Sequence, residues 1–145
     1  MRARLGVVLA VGLLVTACAD PDTSHLGADQ ETAFAAEGIR YRADNLTFRY
    51  THDAGTRDAG WEDRVASIVV TGKTVLIHKN EKVGIEIKPE SRRFYEVSRS
   101  GDRVRINAGS GQSRESWSFA PPADADGWTK AIRAVIRASD SEANR

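Results

Sequence analysis

The sequence predicts an α+β fold, mainly β: about seven antiparallel strands in an open barrel or sandwich, followed by one C-terminal helix. Three observations predict it. Apolar and polar residues alternate with period two through most of residues 39–119, the pattern of half-buried strands. Turn-forming residues interrupt that pattern at short intervals. After Pro121-Pro122 the period lengthens, and Trp128, Ile132, Val135 and Ile136 recur as the apolar stripe of a helix.

Each element follows from its residues. Ile39 and Tyr41 alternate with Arg40 and Arg42, and Leu46, Phe48 and Tyr50 alternate with Thr47, Arg49 and Thr51. Ala66 to Val70 is a short β-branched run stopped by Thr71-Gly72. Residues 74–78 and 83–87 flank Lys79-Asn80-Glu81-Lys82, which reads as a hairpin loop, and Pro89 ends the second strand because it has no N–H for the ladder. Residues 94–98 and 103–107 flank Arg99-Ser100-Gly101-Asp102, where Gly101 can take the positive φ of a tight turn. A loop over 108–113 precedes a last short strand, 116–119, with Trp117 and Phe119 on one face. The closing helix is expected over 124–138. Asp124 or Asp126 is placed to cap it, Thr129, Lys130, Arg133 and Arg137 occupy its polar face, and the chain frays over 139–145.

The first 38 residues differ in kind. Arg2 and Arg4 precede an uncharged apolar run from Leu5 to Val15, and small residues follow. This is the plan of a secretory signal peptide, and the run is shorter than the ~20 residues a membrane-spanning helix needs. Residues 19–38 carry five acidic and no basic residues, the composition of a solvated linker. Within it, residues 30–36 could form a helical turn around Phe34. Residues 39–145 hold 19 basic against 15 acidic residues, a net +4. Their 107 residues suffice to bury one core. The net charge of the whole chain is +1, so it is no polycation built for nucleic acid.

The end of the apolar run is specific. Leu14-Val15-Thr16-Ala17-Cys18 resembles the lipobox of bacterial lipoproteins, and Cys18 is the single cysteine of the chain. The resemblance implies diacylglycerol on the Cys18 sulfur and cleavage just before it. Residues 1–17 are then a signal peptide, and 18–38 a lipidated cysteine with a flexible acidic tether. The protein would sit exported on a membrane through its acyl chains, each buried CH₂ contributing about 0.8 kcal/mol. Ala19 stands where enterobacterial lipoproteins retained at the inner membrane carry Asp. In a Gram-negative host this favours the outer membrane, facing the periplasm.

The phrase Asp126-Gly127-Trp128-Thr129-Lys130-Ala131-Ile132 looks like the Trp-x-x-Ala-Ile helix start of the pleckstrin-homology superfold. That resemblance is strongest over 93–138. It implies two near-orthogonal antiparallel sheets forming an open barrel with the helix plugging one end, so 39–145 is expected to be one such domain. The basic first hairpin loop of phosphoinositide-binding members has no counterpart between Tyr41 and Leu46, so that specificity does not carry over.

Signals for chemistry are sparse. With one cysteine there is no intramolecular disulfide. His52 and His78 share no ligand spacing, and His25 lies in the linker. The Gly109–Ser113 loop lacks the lysine and helix of a phosphate loop, and Ala108 replaces the first glycine of a Gly-x-Ser-x-Gly elbow. No enzyme activity, cofactor or metal is expected. The strongest binding signal is basic: Arg92, Arg93, Arg99, Arg103 and Arg105, with Arg114 nearby, lie within 23 residues. Arg103 and Arg105 share a strand face. Such a face could meet an anionic ligand, an anionic lipid surface, an acidic polymer or a partner protein. The expected function is a lipid-anchored envelope module for binding or scaffolding. An envelope enzyme or enzyme inhibitor using 109–113, His52 or His78, and a structural subunit of an envelope assembly, are the alternatives.

Overall fold

The computed structural model describes residues 24–53, 60–79, 82–91, 93–110 and 113–143. The chain enters at Ser24 and forms helix α1 (Ala28–Glu37). Seven strands follow: β1 (Ile39–Asp53), β2 (Gly60–Thr71), β3 (Val75–Lys79), β4 (Lys82–Ile87), β5 (Phe94–Ser100), β6 (Arg103–Ser110) and β7 (Ser113–Phe119). Helix α2 (Ala125–Ala143) ends the fold. All pairings are antiparallel, in the order β4-β3-β2-β1-β7-β6-β5. The strands form one sheet curled into a half-barrel, consistent with the expected open barrel, rather than two separate sheets.

β1 makes this possible because it is long enough to join both halves. Its first part pairs only with β2, and its second part, from Phe48, pairs with both β2 and β7. The two separate strands expected over 39–51 are therefore one. They read as two because the alternation slips at Asp44-Asn45. There the register with β2 shifts, and Asn45 sits at φ 55°. Asn tolerates the left-handed region, and the bulge absorbs one residue. Tyr41, Ala43, Leu46, Phe48 and Tyr50 thus all pack toward the inner face.

The inner face holds the main core. Ile68, Val70, Ile77, Ile87, Val104, Ile106 and Phe119 are buried there. Helix α2 covers it with Trp128, Ala131, Ile132, Val135 and Ile136, the stripe expected from the sequence. Trp128 stacks edge-on against Phe119 at 5.7 Å and tilted against Tyr41 at 5.2 Å.

Asp124 is the cap of α2. At φ 51°, its Oδ1 accepts from the Gly127 N–H at 2.9 Å, and its Oδ2 accepts from the Tyr41 hydroxyl at 2.9 Å. Gly127 is required here: a Cβ would stand 2.0 Å from Asp124 Oδ2 and 2.1 Å from the Tyr41 oxygen.

Two expectations for α2 are corrected. Thr129 is not on the polar face but buried, its hydroxyl donating to the Ala125 carbonyl at 2.7 Å. The helix does not fray at 139 but runs to Ala143, because Ser139 is buried and donates to the Ser91 carbonyl at 3.4 Å.

The larger correction concerns the tether. From Ser24 onward the expected flexible linker is docked on the outer face of β2 and β3. Leu26 and Phe34 are buried against Val69 and Leu76 as a second core. Ser24 donates through Oγ to the His78 carbonyl at 2.8 Å and accepts at Oγ from the Ser67 N–H at 3.2 Å. Its own carbonyl accepts from Ser67 Oγ at 2.9 Å, and its N–H donates to Asn45 Oδ1 at 2.6 Å. Lower down, Arg42 clamps Glu31 with two bonds of 2.6 Å, and Thr71 donates to Glu37 at 2.7 Å. Glu31 and Glu37, two of the five acidic residues that suggested a solvated linker, are thus partners of the sheet. Gly38, at φ 81°, reverses the chain into β1.

Candidate functional site

The docked segment covers only half of the outer face. The other half, formed by the second part of β1 with β7, β6 and β5, is open. Cross-strand register aligns its side chains in rows. Arg49, Ser118 and Arg105 stand opposite one another across β1, β7 and β6. Thr51, Ser116 and Asn107 form the next row, and Glu96 extends it onto β5. Arg103 bends over the first row. Its Nε donates to Ser118 Oγ at 3.1 Å, and its second amine nitrogen donates to the Ser118 carbonyl at 3.2 Å.

Two recesses share this surface. One, of about 360 Å³, is lined by Arg49, Thr51, Arg103, Arg105, Ser116 and Ser118. The other, about 440 Å³, lies beside it, and Thr51 and Ser116 border both. Phe94, Glu96, Asn107 and Arg114 help to line the second one. Phe94 is 60% exposed, an aromatic ring left in solvent at the sheet edge. Thr51 Oγ1 and Ser116 Oγ share a hydrogen bond of 2.5 Å on the wall between them. Among the described residues no carboxylate lies within ion-pair distance of Arg103 or Arg105. The groove is therefore cationic at one end, and at the other it mixes amide, hydroxyl and aromatic groups with the carboxylates of Glu96 and Glu115 and the cation of Arg114.

The predicted basic cluster divides. Arg103 and Arg105 line the groove. Arg99 is exposed near the β5–β6 turn and lines neither recess. Arg93 instead pairs with Glu115, whose other oxygen accepts from the Tyr50 hydroxyl at 2.6 Å. Burial raises the Glu115 pKa, but the hydrogen bonds from Tyr50 and Arg93 outweigh it and hold the carboxyl below its ordinary value. Burial first, then the bond to Glu115, pushes Tyr50 up to about 12. Glu115 also lines the second recess, and its bonds link β7 to Tyr50 on β1 and to Arg93 beside β5. Arg92 and Cys18 lie outside the described residues.

Arg49 was missed as a site residue. It read as the polar half of an alternating strand, and only β1's pairing with β7 brings it beside Arg105. The alternative catalytic set is not assembled. His52 stands opposite Glu115 on the inner face of β1, whereas His78 is buried on the outer side of β3 beneath Ser24. The loop expected over 108–113 is mostly strand: Gly109 and Ser110 pair with Arg114 and Ser113 in the β6–β7 hairpin. Small residues gave no strand signal there, yet backbone pairing needs none.

No group of three or more His, Cys, Asp or Glu side chains among the described residues could hold a metal ion. No helix among them is long and apolar enough to cross a membrane. No protein-family model matches the chain, and no curated protein matches it.

Proposed function

We propose that this is a lipid-anchored, exported, non-catalytic binding module, held by Cys18, whose open sheet face takes an acidic polymer rich in hydroxyl groups: an acidic glycan. The observation that carries the ligand reading is the pair Arg103 and Arg105 lining a recess with Ser116 and Ser118, neither arginine having a carboxylate within ion-pair distance among the described residues. Guanidinium forks suit carboxylate or phosphate groups. Asn107, Glu96 and the shared hydroxyls suit sugar hydroxyls, and the Phe94 ring offers a stacking surface beside them. A concave groove favours a chain that can enter it over a flat lipid surface.

The anchor reading rests on the lipobox resemblance at 14–18. Labelling with radioactive palmitate should mark the protein, and Cys18→Ala should abolish the mark; label persisting in that variant would refute the anchor. For the groove, calorimetry with an oligogalacturonate as probe should show binding that weakens with salt. Arg103→Ser with Arg105→Ser should reduce it at least tenfold, about 1.4 kcal/mol. Equal binding by that double variant, or binding to anionic vesicles alone, would refute the glycan reading.

A further inference from the structure

The docked N-terminal segment fixes which end of the domain meets the membrane. We infer that the β3–β4 end lies against the lipid surface, with Val83 and Lys79 as its contact; this rests on the Cys18 anchor proposed above.

The argument is one of chain length and docking. Only residues 19–23 separate Cys18 from Ser24. At about 3.5 Å per residue, the path from Cys18 to Ser24 spans at most about 20 Å. Ser24 is not the start of a loose leash. It is held by Asn45, Ser67 and His78 through four hydrogen bonds, three of them buried. Leu26 and Phe34 then bury the following turn. A lipid on Cys18 therefore has its attachment point within about 20 Å of one defined place on the fold.

That place is the end of β3. Ser24 holds the carbonyl of His78, and His78 pairs with Val83 on β4. Val83 is 53% exposed, one of few large apolar side chains left in solvent. Lys79 follows His78 directly and pairs with Lys82 at the close of the hairpin. An exposed aliphatic side chain beside a lysine suits the boundary between headgroups and acyl chains, and the cation suits anionic headgroups. The β5–β6 turn at Gly101-Asp102 lies at the opposite end of the sheet, because β3 and β5 run in opposite directions through it. β1 runs in the same direction as β3, so the groove rows of Arg49 and Thr51, four and six residues beyond Asn45, lie toward the same end of the sheet as the β3–β4 hairpin.

The test uses the full-length acylated protein in phosphatidylethanolamine–phosphatidylglycerol vesicles containing a lipid with a spin-labelled headgroup. Acylation consumes the Cys18 sulfur, so Val83→Cys and Asp102→Cys each provide one thiol for a fluorophore, and Lys79→Cys serves as a second probe at the near end. Mass spectrometry of the N-terminal peptide establishes acylation on the same sample. Quenching should be severalfold stronger at 83 and 79 than at 102. Inserting a Gly/Ser stretch of about twenty residues after Asp22 should erase the contrast by freeing the domain. Equal quenching at both ends with Cys18 acylated would overturn the orientation alone. Contrast that survives the insertion would overturn the leash as its cause. An unmodified Cys18 would overturn the anchor and, with it, this inference.

Discussion

On one face of one sheet, the β2–β3 half and the β7–β6 half have opposite surroundings. Over β2 and β3, Ser67, Val69, Thr71, Leu76 and His78 are all buried beneath the docked N-terminal segment. Over β7 and β6, the outward positions are Ser116, Ser118, Arg103, Arg105 and Asn107, and no element among the described residues covers them. The backbone pairing is the same in both halves. The difference lies in the side chains, which are apolar or hydrogen-bonded where a cover sits and cationic where solvent reaches. One half should therefore govern stability and the other binding.

The sharpest way to break that division is to remove the cover. Phe34 is buried against Val69 and Leu76, so Phe34→Ala both loses transfer free energy and leaves a cavity in a four-residue cluster. A cost of about 3 kcal/mol is expected, with a corresponding drop in the urea midpoint at unchanged slope. A cost below about 1 kcal/mol would show that the segment contributes little to the fold and that the comparison between halves fails.

A smaller effect is expected from inside the open half. Lacking an outer cover, it is supported by Arg93, Glu115 and Tyr50. Glu115 has a lowered pKa in the fold. Its contribution is therefore present above the unfolded carboxylate value and is lost as pH falls through the folded one. Relative to Glu115→Gln, the native protein should lose on the order of 1 kcal/mol of stability as pH falls from the ordinary carboxylate range to below it. Parallel pH profiles for the two proteins would show that the cluster contributes nothing.

How much of this was legible in sequence follows the same division. The inner face was readable because its apolar residues alternate with polar ones, and the α2 stripe was readable from its spacing. The covered outer half also left a signal. Ala66-Ser67-Ile68-Val69-Val70 and Val75-Leu76-Ile77-His78 do not alternate, as strands buried on both faces do not. That run demanded a second cover, and the cover was hard to find because Leu26 and Phe34 are two apolar residues within an acidic stretch. The acids misled in turn: Glu31 and Glu37 look solvated until Arg42 and Thr71 meet them across the fold. The groove was half legible. Arg103 and Arg105 share a strand, but Arg49 joins them only through a pairing between residues almost seventy positions apart.

The smallest stability effect is expected where ligand binding is proposed. Arg105 is exposed, and no carboxylate among the described residues pairs with it. Its removal breaks no hydrogen bond among the described residues and leaves no buried group unsatisfied, so Arg105→Ser should shift stability by no more than about 0.5 kcal/mol. Arg103 differs slightly, since its two bonds to Ser118 are lost with it, but both are partly solvated. If the arginine row were a structural device, tying β6 to β7, Arg105→Ser would instead destabilise as a core change does. Chemical denaturation of that single variant therefore tests the scaffold role: an unchanged midpoint is what the proposed ligand role requires, and a large loss means the open half is part of the scaffold.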